Sequence, residues 1–63
     1  MSFKCLVVNE DNEYFVKIMK DNSFLFSKNK ENALILNLHE AKEDIIPLAE
    51  FKTKKKCKVE KLS

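Results

Sequence analysis

The stretch Asn37-Leu38-His39-Glu40-Ala41-Lys42-Glu43-Asp44-Ile45-Ile46-Pro47-Leu48-Ala49-Glu50-Phe51 decides the fold. Asn37 can cap a helix and has a glutamate three residues on, an asparagine version of the capping box. Leu38, Ala41, Ile45, Leu48 and Ala49 then recur at helical spacing, with Glu40, Lys42, Glu43 and Asp44 largely on the opposite side. Ala33-Leu34-Ile35-Leu36 would by itself read equally as a strand or a helix start, and the cap at Asn37 assigns it to a short strand that precedes the helix. Pro47 removes one intrahelical hydrogen bond and crowds the carbonyl four residues back, at a cost of about 3 kcal/mol in a helix interior. A stop near Ile46 or a kink is therefore expected. Because apolar residues continue through Leu48 to Phe51, a kink or a second short turn with Pro47 in its first position is the better reading.

Working back from the helix, Lys28 to Asn32 is a polar connection, and before it lie three strand-like runs. Phe3 to Val8 is short and apolar and ends in Asn9-Glu10-Asp11-Asn12, residues that favour turns and tolerate left-handed backbone without glycine. Tyr14, Val16 and Ile18 alternate with Phe15, Lys17 and Met19 in a period of two, rich in β-branched and aromatic residues. Asp21-Asn22 makes a tight turn into Ser23-Phe24-Leu25-Phe26-Ser27, so the three runs form an antiparallel meander. Beyond Phe51, Cys57 and Val59 alternate with Lys56, Lys58 and Glu60, which fits a terminal edge strand.

The fold class that follows is α+β, a small antiparallel sheet of four to five short strands packed against one helix interrupted near Pro47. A single domain over residues 1–63 contains the meander over 3–27, the short strand and helix over 33–50 and the basic strand over 52–62. The expected core is Phe3, Cys5, Val7, Val16, Ile18, Phe24, Phe26, Leu36, Leu38, Ala41, Ile45 and Leu48, with either face of the first strand admissible. A chain of 63 residues buries only about 60% of its unfolded surface, so stability is marginal. Two cysteines build no disulfide framework and one histidine anchors no zinc finger, which leaves association as the remaining aid to stability. No apolar run approaches the roughly 18 residues of a membrane-spanning helix. The apolar N-terminal stretch is too short for a signal sequence, so a cytoplasmic protein with reduced thiols is expected.

Chemistry is limited by what is missing. There is no glycine, and phosphate-cradling loops, dinucleotide fingerprints and the nucleophile elbow all need it. His39, at the first turn of the helix, has Glu40 and Glu43 near in sequence but no recognisable nucleophile, and reads as a surface residue. No enzyme activity, cofactor or metal is expected. Cys5 and Cys57 each fall at an apolar alternating position, and would be neighbours if the end strands pair suitably. They read as buried reduced thiols, although Lys55 and Lys56 beside Cys57 would lower its thiol pKa if they lie close.

Charge is the most polarised feature. Residues 52–63 hold six lysines and one acid, whereas residues 1–51 hold six lysines and nine acids, so a body of net −3 carries an end of net +5. Lysines along an exposed edge guard against edge-to-edge aggregation, and the same lysines make a cationic contact surface. Glu10, Asp11 and Glu13 in the first turn, with Glu40, Glu43 and Asp44 on the helix, read as a polar turn and a solvated face. They would also suit a basic partner. All twelve cations are lysine, which matches the codon usage of an AT-rich genome and lacks arginine's bidentate reading of phosphate. Aromatics that could stack on bases, Tyr14, Phe15, Phe24 and Phe26, lie in the sheet and not among the lysines.

The order Tyr14-Phe15-Val16-Lys17, Lys30-Glu31-Asn32-Ala33 and Glu40-Ala41-Lys42 resembles the small orphan proteins of bacteriophages and other mobile elements in AT-rich bacteria, anti-CRISPR inhibitors among them. The resemblance covers roughly residues 3–50 and carries over no functional residue. It implies a non-catalytic protein that binds a host protein or nucleoprotein. The contact residues expected on that reading are Lys52, Lys54, Lys55, Lys56, Lys58, Tyr14 and Phe15, with whichever sheet face the helix leaves uncovered. One alternative is a small nucleic-acid-binding accessory protein using the same lysines. Another is a homodimeric structural module joined through an edge strand.

Overall fold

The computed structural model describes residues 3–62. Five strands form one antiparallel sheet, β1 (Lys4–Asn9), β2 (Tyr14–Ile18), β3 (Phe24–Ser27), β4 (Leu36–Asn37) and β5 (Cys57–Lys61), and a single helix spans residues 38–53. The fold is α+β. β1 lies at the centre. Along one edge it pairs with β5 from Cys5 opposite Lys61 to Asn9 opposite Cys57, and its other edge is shared by β2, at Val8 opposite Tyr14, and β4, at Cys5 opposite Leu36. β3 continues the sheet beyond β2.

β1 has both edges paired and a covering on each face, so that all of its residues after Lys4, namely Cys5, Leu6, Val7, Val8 and Asn9, are buried. Cys5 and Val7 face the helix and cluster with Phe15, Leu36 and Ala41, while Phe24, Phe26, Ile45, Ile46, Cys57 and Val59 pack around them half-buried. Phe15 meets the Phe24 and Phe26 rings at 5.4 and 5.9 Å in tilted and edge-on arrangements. The opposite face has no helix. There Tyr14 lies over Val8 and Glu60 over Leu6 by register. The Tyr14 hydroxyl donates to Glu60 Oε1 at 3.3 Å, a bond that passes across β1, and Lys30 closes on the other carboxylate oxygen.

Turns without glycine fall on asparagine, as the sequence leads one to expect, with Asn12 at φ 62° and Asn22 at φ 68°. Asn9 Oδ1 accepts from the Asp11 and Glu13 amides at 2.9 Å each, which gives this buried polar side chain its partners. Asn29 caps the 3₁₀ turn Lys30–Asn32, and the following chain is tied to β2 by Leu34 N–H donating to Phe15 O.

The helix starts with the expected cap, Asn37 Oδ1 accepting from the Glu40 amide at 2.8 Å, while the Glu40 carboxylate accepts from the Asn37 side-chain amide and not from its backbone. Pro47 does not end the helix. Residues Ala41–Ile45 form a π-turn, closed by Ile46 N–H donating to Ala41 O, and α-helix resumes over Ile46–Thr53. The wide turn lies where the proline ring would crowd the carbonyl of Glu43.

That extra residue also corrects the expected core. It rotates the last two turns so that Ile46 and Ala49 face inward and Leu48 is 43% exposed. In β2 the register breaks between Phe15 and Lys17, a bulge at Val16. Phe15 therefore fills the core at 1% exposure, Val16 is half-buried and Ile18 is exposed. Phe3, also expected inside, is exposed with the Lys61 ammonium 5.2 Å from its ring centre.

After Thr53 the helix is terminated by Lys54 in the left-handed region at φ 62°, its N–H donating to Glu50 O. A lysine there bears the Cβ clash that glycine avoids. Lys54→Gly is expected to raise the unfolding free energy by about 1 kcal/mol, the lower end of the penalty that a Cβ brings to left-handed backbone, and Lys54→Ala to give no such gain. Urea denaturation of the three chains checks this.

Glu60 supplies a second expectation. Its hydrogen bond from Lys30 holds its pKa below the ordinary carboxylate value, against a smaller opposing effect of burial. A lowered folded-state pKa means that the contribution is complete above the unfolded value of about 4.3 and is lost as pH falls through the lowered folded value. The urea midpoint is expected to decline across that acid window in the native chain and to decline less steeply in Glu60→Gln.

Candidate interaction surface

The lysines of the basic end do not form one surface. Lys55 turns back on the first turn of the chain, paired with Asp11 at 2.5 Å and Glu13 at 3.9 Å, and those carboxylates raise its pKa, Asp11 first. Beside it, Glu10 Oε1 accepts from the Lys56 amide at 2.8 Å. The acidic turn is thus the docking point for the segment that leads into β5. Lys54 extends over the Phe51 ring, 5.1 Å from its centre. Lys52 is exposed near the β2–β3 turn, where it adds a small contribution to the lowered pKa of Asp21 after the larger effect of hydrogen bonds from Ser23. Lys56, just before β5, and Lys58, within it, are exposed, and Lys58 shares a face of β5 with Glu60.

Two other expected contact residues are placed differently. Phe15 is withdrawn from the set, because it is the largest fully buried side chain. Tyr14 is half-buried and its hydroxyl is bonded to Glu60. The sheet face away from the helix does not offer β1 as an apolar platform, since Leu6 and Val8 are covered.

β5 is an edge strand, as its alternation implies, paired only with β1 among the described residues. Leu62 N–H donates to Lys4 O, so the alternate backbone groups at Cys57, Val59 and Lys61 point outward. Glu50 Oε2 accepts from the Cys57 amide at 2.9 Å, which closes the first of these. What remains open is a short edge flanked by lysines, a form that resists strand addition.

Sequence reasoning missed the surface that the helix itself presents. On the side away from Ala41 and Ala49 it exposes Pro47, Leu48, Phe51 and Lys52. Phe51 is 70% exposed, the highest value among the large apolar side chains of the described residues, and Leu48 lies one turn before it. The π-turn that puts them there leaves no local signature in the sequence. A helix ending in Phe51-Lys52 beside a run of lysines was the available hint.

The thiols are separate. End strands do pair, but Cys57 lies opposite Asn9, four residues along β1 from Cys5, a spacing of roughly 13 Å. Disulfide geometry needs Cα atoms within about 7 Å. Burial raises the Cys57 pKa, followed by the Glu50 and Glu10 carboxylates, so the lowering expected from neighbouring lysines is overturned. Burial likewise raises that of Cys5.

Among the described residues no group of three His, Cys, Asp or Glu side chains is arranged to hold a metal ion, and His39 is exposed. Among the same residues no helix is long and apolar enough to cross a membrane. Comparison with protein families, with curated proteins and with solved structures found no match to this chain.

Both thiols are expected to react with a disulfide reagent at pH 8 more slowly than a free cysteine, and to reach the free rate in guanidinium. Oxidation of the folded chain is expected to leave its mass without the loss of two hydrogens that an internal disulfide brings.

Proposed function

We propose that this chain is a non-catalytic protein-binding module that inhibits or modulates a host protein or nucleoprotein such as a defence complex, acting in the cytoplasm of a bacterium that carries a phage or mobile element. The observation that carries the binding half of this reading is the exposed Phe51, with Leu48 beside it and Lys52 and Lys54 at its margin. Large apolar side chains held in water on a regular helix are the usual anchors of an interface, and a cationic margin steers an acidic partner to them. The host-directed half rests on the resemblance to small orphan phage proteins alone.

A second reading, an accessory protein that binds nucleic acid, draws on the exposed Lys56 and Lys58 at the start of β5. It is the weaker of the two. Lys55 is engaged by Asp11 and Glu13, and Glu60 interrupts the cationic face beside Lys58.

A tagged chain passed through nuclease-treated host lysate is expected to retain a stoichiometric protein that Phe51→Glu loses. A triple change of Lys54, Lys55 and Lys56 to Gln should weaken that capture without abolishing it. Capture that disappears with nuclease and follows the triple change would establish the nucleic-acid reading instead, with a salt dependence that shallows as lysines are removed.

A further inference from the structure

The exposed side of the helix is ordered along its axis. Glu43 and Asp44 stand toward its start, Pro47, Leu48 and Phe51 occupy its middle, and Lys52 stands at its end with Lys54 folded over Phe51. All six helical residues are exposed and face away from the buried Ala41 and Ala49. A face that is acidic at one end, apolar in the centre and basic at the other is its own complement once a second copy is turned end for end.

The spacing fits. A two-fold axis near Leu48 places Asp44 of each copy beside Lys52 of the other, because both residues lie four positions from Leu48, about 6 Å along the axis. Helices pack about 8–10 Å apart, within the combined reach of lysine and aspartate side chains. Leu48 and Phe51 of both copies then meet in the centre, where each loses its contact with water. A parallel arrangement would set acid against acid and base against base, so charge selects the antiparallel one.

We infer that the helix face is a self-association surface whose occupant is a second copy of this chain, held as an isologous antiparallel helix pair. This rests on the protein-binding reading in that the same Leu48 and Phe51 provide the contact, so a second copy and a host partner compete for one surface. It also answers a need of the domain. Among the described residues only eight hydrophobic side chains are buried, three of them on positions as small as alanine or cysteine, and a core of that size gains from a partner. The edge strand, with its lysines and its first outward amide already closed by Glu50, is the less suited route to a dimer.

Sedimentation equilibrium of the full chain from about 10 µM to about 1 mM is expected to show the average mass rising from one chain toward two. Asp44→Lys and Lys52→Asp each create a like-charge contact twice per dimer, and each is expected to weaken association about tenfold or more. Combining them restores an opposite pair, and the double variant is expected to recover association to within about threefold of the native chain. Circular dichroism at the lowest concentration shows whether each variant keeps its helix. A chain that stays at single mass at the highest concentration overturns the inference. A dimer indifferent to both single changes, or not rescued by the double one, overturns it too. Loss of self-association leaves the wider reading standing if Phe51-dependent capture from lysate persists, whereas a charge-swapped dimer without any captured partner removes the host target and keeps the dimer.

Discussion

Everything in this molecule is arranged around a first strand that has no side left over for water. β1 is paired along one edge by β5 and along the other by β2 and β4, and residues on both of its faces are buried. A strand so placed needs two coverings. The helix supplies one, through Ala41 and the residues packed on Cys5 and Val7, and the bridge of Tyr14, Glu60 and Lys30 over Leu6 and Val8 supplies the other. A single helix on a small sheet would ordinarily leave a wet face behind β1. Here a tyrosine, a carboxylate and an ammonium carried on the 3₁₀ turn form a polar roof over apolar side chains.

The polarised charge of the chain has the same origin. Much of it is satisfied within the chain at the surface, where Lys55 meets Asp11 and Glu13, Glu10 takes the Lys56 amide and Glu50 takes the Cys57 amide. Exposed ion pairs of this kind contribute little individually. Their arrangement matters more, because all of them hold the segment that enters β5 and so set that strand's register on β1. The basic end is less a surface waiting for a phosphate than the second half of a junction whose first half is the acidic turn. Among the exposed cations that border apolar surface are Lys52 and Lys54, next to Phe51, and Lys61, next to Phe3.

What could be read from sequence was what short-range chemistry determines. The cap at Asn37 and Glu40, the left-handed turns at Asn12 and Asn22, and the order of meander, short strand, helix and edge strand each follow from residues within a few positions of one another. The errors arise where one inserted residue changes the parity of everything after it. A bulge at Val16 decides that Phe15 enters the core and Ile18 does not. A π-turn before Pro47 decides that Ala49 is buried and Leu48 exposed. Both are answers to packing against β1, and neither has a local sequence signal. The thiols show the same limit at longer range, since antiparallel pairing of the end strands was foreseeable but its register, which sets Cys57 against Asn9, was not. Of the expected contact residues, the ones misplaced were those whose direction depends on such a register, Phe15 above all.

The partnership of β1 with β5 joins strands far apart in sequence, from Cys5 with Lys61 to Asn9 with Cys57. During synthesis β1 is made before the other four strands of the sheet and β5 after them. Until β5 leaves the ribosome, β1 keeps one open edge, and the side of it that Glu60 helps to roof stays bare. The meander and the helix are local and form early, but they cannot complete the core alone. Contacts between residues so far apart in sequence slow folding, because the whole intervening loop must be closed before any of them forms. A chain stopped short of Cys57 is therefore a sticky one, with an unpaired hydrophobic edge of the kind that recruits other strands. Lys54, Lys55 and Lys56 follow the last turn of the helix and precede the strand that seals this edge, so positive charge reaches the nascent chain just before the gap closes.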